Sequence, residues 1–396
     1  MRPLASRMSR LGTETAFEVL ARARALEAKG RDIVHLEIGE PDFDTPPAIV
    51  AAGVAALERG ETHYTPSAGV IELREAISRY LKERRGVRAD PDQVIVTPGA
   101  KPIMFYALLA LLDEGDEAIY PDPGFPIYSS MIDFAGARGV PLALREENDF
   151  QPDLDELRSL VSPRTKVLVL NSPNNPTGGV LPRAAIRDMA AIARERDLWV
   201  LTDEIYGELV YDGEHRSIAV EEGMAERTIL LDGFSKTFAM TGWRLGYGVF
   251  PRALVEPVGK LVTNSVSCTA TFVQRAGTVA LSSRPPEVDR MIAEFRRRRD
   301  AVVKGLNAVP GITCRTPQGA FYAFPNVRGL GLRSSAEVAD RLLNEAGVAT
   351  LAGTCFGAAG EGYLRLSYAN SLGNLDKAVS RIADWSARVS PLFTGR

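Results

Sequence analysis

The chain has 396 residues, 45% hydrophobic and 24% charged, with a formal net charge of −3 from 47 Lys and Arg against 50 Asp and Glu. That length and composition fit an ordinary globular protein of two domains, or one large domain with an appended lobe. The slight acidic excess argues against nucleic acid or a membrane surface as a partner.

The first residues, "MRPLASRMSRLGTETAF", carry arginines but lack the apolar core of a secretory signal. From about residue 48 to 285 short β-rich runs alternate with helical patterns. "QVIVTPGA", "EAIYPDPGF", "KVLVLNSPNNPTG", "LWVLTDEIY", "TILLDGFSK" and "RLGYGVF" read as strands followed by turns. Ile71–Arg85, Lys101–Leu112 and Pro182–Arg196 carry helical periodicity between them. This alternation predicts an α/β fold: three layers, doubly wound, with helices on both faces of a mostly parallel sheet. The longest charge-free apolar stretch, Pro102–Leu112, is too short to cross a bilayer.

After residue 285 the texture changes. A long charged helix over Pro286–Asn307 leads to "GITCRTPQGAFYAFPNV", a helix around Ala336–Ala346 and the strand "GYLRLSYA". The expected division is a large domain over 47–285 and a smaller α+β domain made of 1–46 plus 286–396. Within the long helix, Arg296–Arg299 fan around the axis and read as a solvated face. Cys268, Cys314 and Cys355 are odd in number and widely spaced, and His35, His63 and His215 have no ligand spacing. A disulfide framework and a zinc site are therefore not expected, and no metal is assigned. The expected compartment is reducing, hence cytoplasmic.

Ligands of open α/β sheets sit at the carboxyl ends of the strands. The residues there, in chain order, are Asn175, Asp203, Tyr206, Lys236 and Arg244. Singly, each has a bland reading as a turn former, helix cap, core aromatic or loop residue. Lys236 stands out because the chain holds only eight lysines among its 47 basic residues.

Seven motifs occur together: "GEPDFDTP", "YTPSAG", "PDPGFPIY", "SPNNPTG", "DEIY", "SKTFAMTGWRLGY" and "YLRLSYAN". In this order, over nearly the whole chain, the sequence resembles the class I aminotransferases, the fold-type-I family dependent on pyridoxal 5′-phosphate. The motifs are most similar to the bacterial aspartate aminotransferase subgroup. The resemblance implies transfer of an amino group from an L-amino acid to a 2-oxo acid by a ping-pong mechanism. It also implies roles for individual residues. Lys236 is the catalytic lysine, because an amine can lose its proton near neutral pH and link reversibly to an aldehyde, whereas a guanidinium cannot. Asp203 faces the ring nitrogen, and Tyr206 and Asn175 donate to the ring oxygen. Phe125 stacks on the ring. Gly99, Ala100 and Lys101 lie between a strand and a helix, where backbone N–H groups can hold the phosphate with Ser235 and Arg244. Many relatives have serine three residues before the lysine; this chain has Gly233.

For the substrate, the resemblance implies that Arg365 grips the α-carboxylate through its planar fork and that Gly39 lets the substrate approach. Tyr64 matches a residue lent to the neighbouring subunit's phosphate, which implies a homodimer with shared sites. Lys101, at a helix start, is disfavoured by the dipole by ~0.3–1 kcal/mol, so an anion should offset it. That anion is the cofactor phosphate or the distal carboxylate of an acidic substrate such as aspartate; aromatic and alanine-type donors stay open. Rival readings are a carbon–sulfur β-lyase on the same scaffold and a non-catalytic cofactor-binding regulator. A nucleotide-binding enzyme is disfavoured by the lack of GxGxxG and GxxxxGK[ST].

Overall fold

The computed structural model describes residues 2–389, so the last part of the expected small domain, 390–396, lies outside the described residues. Strand β1 (Val34–His35) belongs to the N-terminal segment. Next come β2 (Val94–Thr97), β3 (Glu117–Asp122), β4 (Arg138–Ala143), β5 (Thr165–Asn171), β6 (Trp199–Asp203), β7 (Thr228–Gly233) and β8 (Gly246–Val249). These seven form one sheet in the order β2-β8-β7-β6-β5-β3-β4. From β7 to β4 all neighbours are parallel, while β8 runs antiparallel to β2 and β7. The expected mostly parallel α/β sheet is thus observed, with one reversed strand.

The strands are apolar throughout because helices cover both faces. In β5 the two-residue period sends Val167 and Val169 to one side, among Leu201, Leu231 and the helix Lys101–Leu111. Leu168 and Leu170 go to the other side, against the helix Arg183–Glu195. That helix offers Ile186, Met189, Ala190 and Ala193, the i, i+3, i+4, i+7 stripe of a half-buried helix. The helix Ile71–Arg85 stops where Gly86 turns left-handed at φ 68° and its N–H returns to the carbonyl of Leu81.

The later elements are the helix Pro286–Asn307, strands β9 (Tyr322–Ala323), β10 (Val348–Ala349), β11 (Leu351–Ala352) and β12 (Leu364–Ser367), and the helix Leu372–Val389. β12 pairs antiparallel with β11 and β9, and β10 pairs in parallel with β1, which ties the N-terminal segment to this lobe. Phe295, Leu306, Phe321, Leu366, Ile382 and Trp385 share a core here, joined by Tyr206 and Leu209 from just beyond β6.

The reading of Arg296–Arg299 as a solvated face needs correction. Four successive helical residues span the full circumference, so two of them must turn inward. Arg298 and Arg299 are buried. Arg298 pairs with Asp42 at 2.6 Å and Glu294 at 3.0 Å, and lies 4.9 Å from the Phe43 ring centroid. Arg299 pairs with Asp212 and donates to the Pro317 carbonyl at 3.0 Å. Only Arg296 and Arg297 remain in solvent.

Candidate active site

The parallel strands end along one edge of the sheet, and the turns that follow them line a cavity of about 480 Å³. β5 and β6 run in register to their last residues, so Asn171 lies beside Asp203 and donates to its backbone carbonyl at 3.1 Å. The Asn171 side-chain oxygen in turn accepts from the N–H of Asn175 at 2.9 Å, which fixes the turn after β5.

Asp203 is buried, and its carboxylate accepts from the Tyr128 hydroxyl at 2.7 Å and the Ile205 N–H at 3.1 Å. Burial pushes its pKa up to about 6, against the downward pull of those two donors. Behind it, Arg85 bridges Glu204 at 2.9 Å and Asp232 at 2.8 Å, clamping the ends of β6 and β7 together. Burial pushes Glu204 upward, but His215 and Arg85 outweigh it and hold the carboxyl at about 2.

The turn after β7 carries Ser235 and Lys236 into the cavity. The Lys236 amine donates to the Gly39 carbonyl at 2.5 Å and lies 6.0 Å from the Tyr206 ring centroid and 5.7 Å from that of Phe321. Desolvation lowers its pKa to about 8; Glu40 pulls upward and Arg365 downward. Tyr206 shares a 2.7 Å hydrogen bond with the Tyr322 hydroxyl, and burial raises its own pKa. A Cβ at Gly39 would sit 2.1 Å from that same Tyr322 oxygen. A side chain there would have to displace the Tyr322 hydroxyl, so Tyr322 as well as an incoming ligand favours glycine.

Arg244 has a left-handed backbone, φ 56°, which folds it back toward the turn after β2. Its guanidinium rests on Gly99, where an added Cβ would lie 2.2 Å from Nη2. Gly99 and Ala100 precede the helix Lys101–Leu111, where Pro102 has no N–H and Ile103 N–H already bonds to the Ala100 carbonyl at 3.1 Å, which leaves the N–H groups of Gly99, Ala100 and Lys101 for a ligand. With Ser235, this corner is a cradle for an anion. Gly233, however, lies away from the cavity: a Cβ there would be 3.1 Å from Gly246 Cα, its partner across the β7–β8 pair. Close strand packing favours the glycine without excluding a small side chain.

Arg365, on β12, is buried with its guanidinium 4.5 Å from the Tyr322 ring centroid and 4.9 Å from that of Phe356. It donates to Asn175 Oδ1 at 3.3 Å and to the Glu37 carbonyl, while its buried Nε has no partner among the described residues. A buried cation with a spare donor is chemistry for a carboxylate. Phe125 forms another wall, edge-on to Tyr128 at 5.8 Å. Lys101 also faces the cavity, and its amine pairs with Glu14.

The cavity thus gathers Gly39, Ala100, Lys101, Phe125, Asn175, Asp203, Tyr206, Ser235, Lys236, Arg244 and Arg365, with Gly99 directly behind Arg244. Tyr64 is not among its lining and stands 89% exposed. Sequence reasoning gave no role to Tyr128, Tyr322, Asn171 or Glu14. Tyr128 was within reach, since it closes the motif "PDPGFPIY". Among the described residues no cluster could hold a metal ion, and no helix is long and apolar enough to cross a membrane.

Residues 31–382 match the family model described as aminotransferase class I and II. An aspartate aminotransferase of Pyrococcus horikoshii is 44% identical, over 92% of this chain and 92% of its own length. Aromatic-amino-acid aminotransferase 2 of Thermococcus litoralis is 42% identical, over 88% of this chain and 90% of its own. The structure of Thermus thermophilus aspartate aminotransferase with maleate superposes with a TM-score of 0.93 at 39% identity, covering 97% of this chain and 100% of that one.

Proposed function

The chain belongs to the class I and II aminotransferases and is a transaminase; we propose that the cavity at the strand ends is its active site and that pyridoxal 5′-phosphate is its cofactor. The observation that carries this reading is the convergence of Lys236, Asp203, Arg244 and Arg365 on one cavity. The fit is chemical. An amine of lowered pKa can bond an aldehyde, a buried carboxylate can hold a protonated ring nitrogen, and the corner of Gly99, Ala100, Ser235 and Arg244 can take a phosphate. When bound, the cofactor supplies an electron-withdrawing ring that takes up the electrons left when an amino acid loses its α-proton.

Lys236 would hold the cofactor through its aldehyde, and its Nζ, lowered in pKa, would serve as the base for the substrate's α-proton. The Asp203 carboxylate, oriented by Tyr128, would face the ring nitrogen and hold a proton there. Tyr206 and Asn175 would donate to the ring oxygen, and Phe125 would cover the ring. Arg365 orients the substrate through its α-carboxylate, with Nε as the unspent donor. Tyr64, exposed in one copy, completes the phosphate site of the other copy in a homodimer.

Relatives are named for aspartate and for aromatic amino acids, and one was solved with maleate, a dicarboxylate. We carry acceptance of acidic donors to this chain, with Lys101 as the cation for the distal carboxylate. The β-lyase and regulator readings are not favoured, since the relatives are transaminases. We assign the large domain to 47–285 and the small one to 1–46 plus 286–396. Three unpaired cysteines support a reducing, cytoplasmic setting.

The test is borohydride reduction of the cofactor-loaded protein followed by peptide mapping. The label is expected on Lys236; a label on another lysine, or none, ends this reading.

A further inference from the structure

One ion pair in the cavity joins Lys101 to a residue, Glu14, that has no part in the chemistry above. The chain before the helix Ala16–Glu27 crosses the cavity mouth, and Glu14, Ala16 and Phe17 line it opposite Lys101 and Phe125. The Glu14 carboxylate pairs with the Lys101 ammonium, at side-chain exposures of 19% and 50%. The arm is tethered two residues earlier, where Gly12 N–H donates to Ser130 Oγ at 2.9 Å and that hydroxyl donates back to the Gly12 carbonyl at 3.2 Å. Before that tether the arm is loosely held, with Leu4 83% and Met8 46% exposed.

Lys101 is the first residue of its helix, where the dipole disfavours a cation, so an adjacent anion stabilises it. Glu14 supplies one from within the chain. The distal carboxylate of an acidic donor would compete for the same ammonium, because two carboxylates crowded on one amine repel each other. We propose that Glu14 is a specificity-determining residue, a built-in counter-ion that Lys101 exchanges for the distal carboxylate of an acidic donor and keeps for an uncharged one. The pocket then has two states of equal charge. With an uncharged or aromatic donor, Glu14 stays on Lys101 and no cation is left bare beside an apolar side chain. With an acidic donor, Glu14 swings out to solvent and the donor takes its place. A pair with a half-exposed lysine is weak, so the exchange grades the choice of donor instead of forbidding one class.

The inference rests on the transaminase reading and on Lys101 facing the substrate. Its test is single-turnover kinetics of the full-length holoenzyme with aspartate and with phenylalanine. The ratio of the two kcat/KM values is the readout, because any effect of Glu14 on the Lys236 amine is common to both donors and cancels. Glu14→Gln should raise the aspartate-to-phenylalanine ratio by about fivefold. Lys101→Met should lower it, and Glu14→Gln added to Lys101→Met should then change nothing, the signature of a coupled pair. An unchanged ratio in Glu14→Gln, with both donors still reacting, overturns the proposal. So does a Glu14→Gln enzyme altered only in its affinity for pyridoxal phosphate, which would assign Lys101 to the phosphate. If the wild-type protein reacts with neither these nor any other amino donor, the transaminase reading fails and takes this inference with it.

Discussion

The hydroxyl of Tyr128, on the helix Ile127–Ala135 that follows β3, donates a 2.7 Å hydrogen bond to Oδ2 of Asp203 at the end of β6. Asp203 sits where burial alone would drive its carboxyl toward the neutral form, and the phenol holds it back. Tyr128→Phe removes a donor to the charged form, so the Asp203 pKa should rise. A bond to a charged group contributes about 1.5–3 kcal/mol, and 1.36 kcal/mol is one pKa unit. The acid limb of the half-reaction should therefore move up by about one unit, read in a pH–rate profile. A limb that stays in place would mean the phenol only fills space.

Asp203→Asn keeps the shape and removes the charge. Turnover should fall by at least about a hundredfold, the scale of one lost charge-assisted contact in the transition state. Stability should move the other way. The folded pKa of about 6 lies above the unfolded value of 3.8, so the folded protein binds more protons between those limits. Asp203 thus costs no stability below pH 4 and costs most above pH 6. Without cofactor, the melting temperature of Asp203→Asn minus that of wild type should be larger at pH 8 than at pH 4.5.

Lys236→Arg keeps a cation beside the Gly39 carbonyl but cannot shed its proton near neutrality. Turnover should drop at least about a hundredfold, as far as in Lys236→Ala, since both roles proposed for the amine, covalent anchor and proton carrier, are lost. In the wild type, cofactor capture should quicken as pH rises toward 8 and level off above it, because the neutral amine reacts and its pKa is about 8. Stopped-flow absorbance follows both.

Arg297 and Arg298 are neighbours with opposite fates. Arg297 is 63% exposed and Arg298 only 8%, with Asp42 and Glu294 on its guanidinium. Arg297→Met should change stability by less than about 0.5 kcal/mol. Arg298→Met strands the partly exposed Asp42, while Glu294 keeps Arg297, and should cost about 1–3 kcal/mol, below the range for fully buried pairs. Chemical denaturation of the two variants side by side checks it.

Much of the fold was legible because its signals are local. Leu168 and Leu170 alternate with Val167 and Val169, and Ile186, Met189, Ala190 and Ala193 recur at helical spacing. Each pattern follows from the geometry of a single element. The reversed strand β8 was not legible, since "RLGYGVF" looks the same in either direction of pairing. Gly233 likewise reads as a missing serine until the backbone of Gly246 is seen against it.

By itself the sequence determined the chemistry on offer: one lysine where arginine would fail, an aspartate at a strand end, and arginines suited to two anions. These are properties of side-chain types and of the short motifs that hold them. Only the tertiary structure decided their partners. The Tyr128–Asp203 bond spans 75 residues of chain and the Glu14–Lys101 pair spans 87, and neither separation leaves a periodic trace. Such contacts depend on how the sheet stacks its strands and where the arm crosses. They in turn set desolvation and local charge, which decide whether a carboxylate near the cavity tunes a ring, clamps two strands or waits on a lysine.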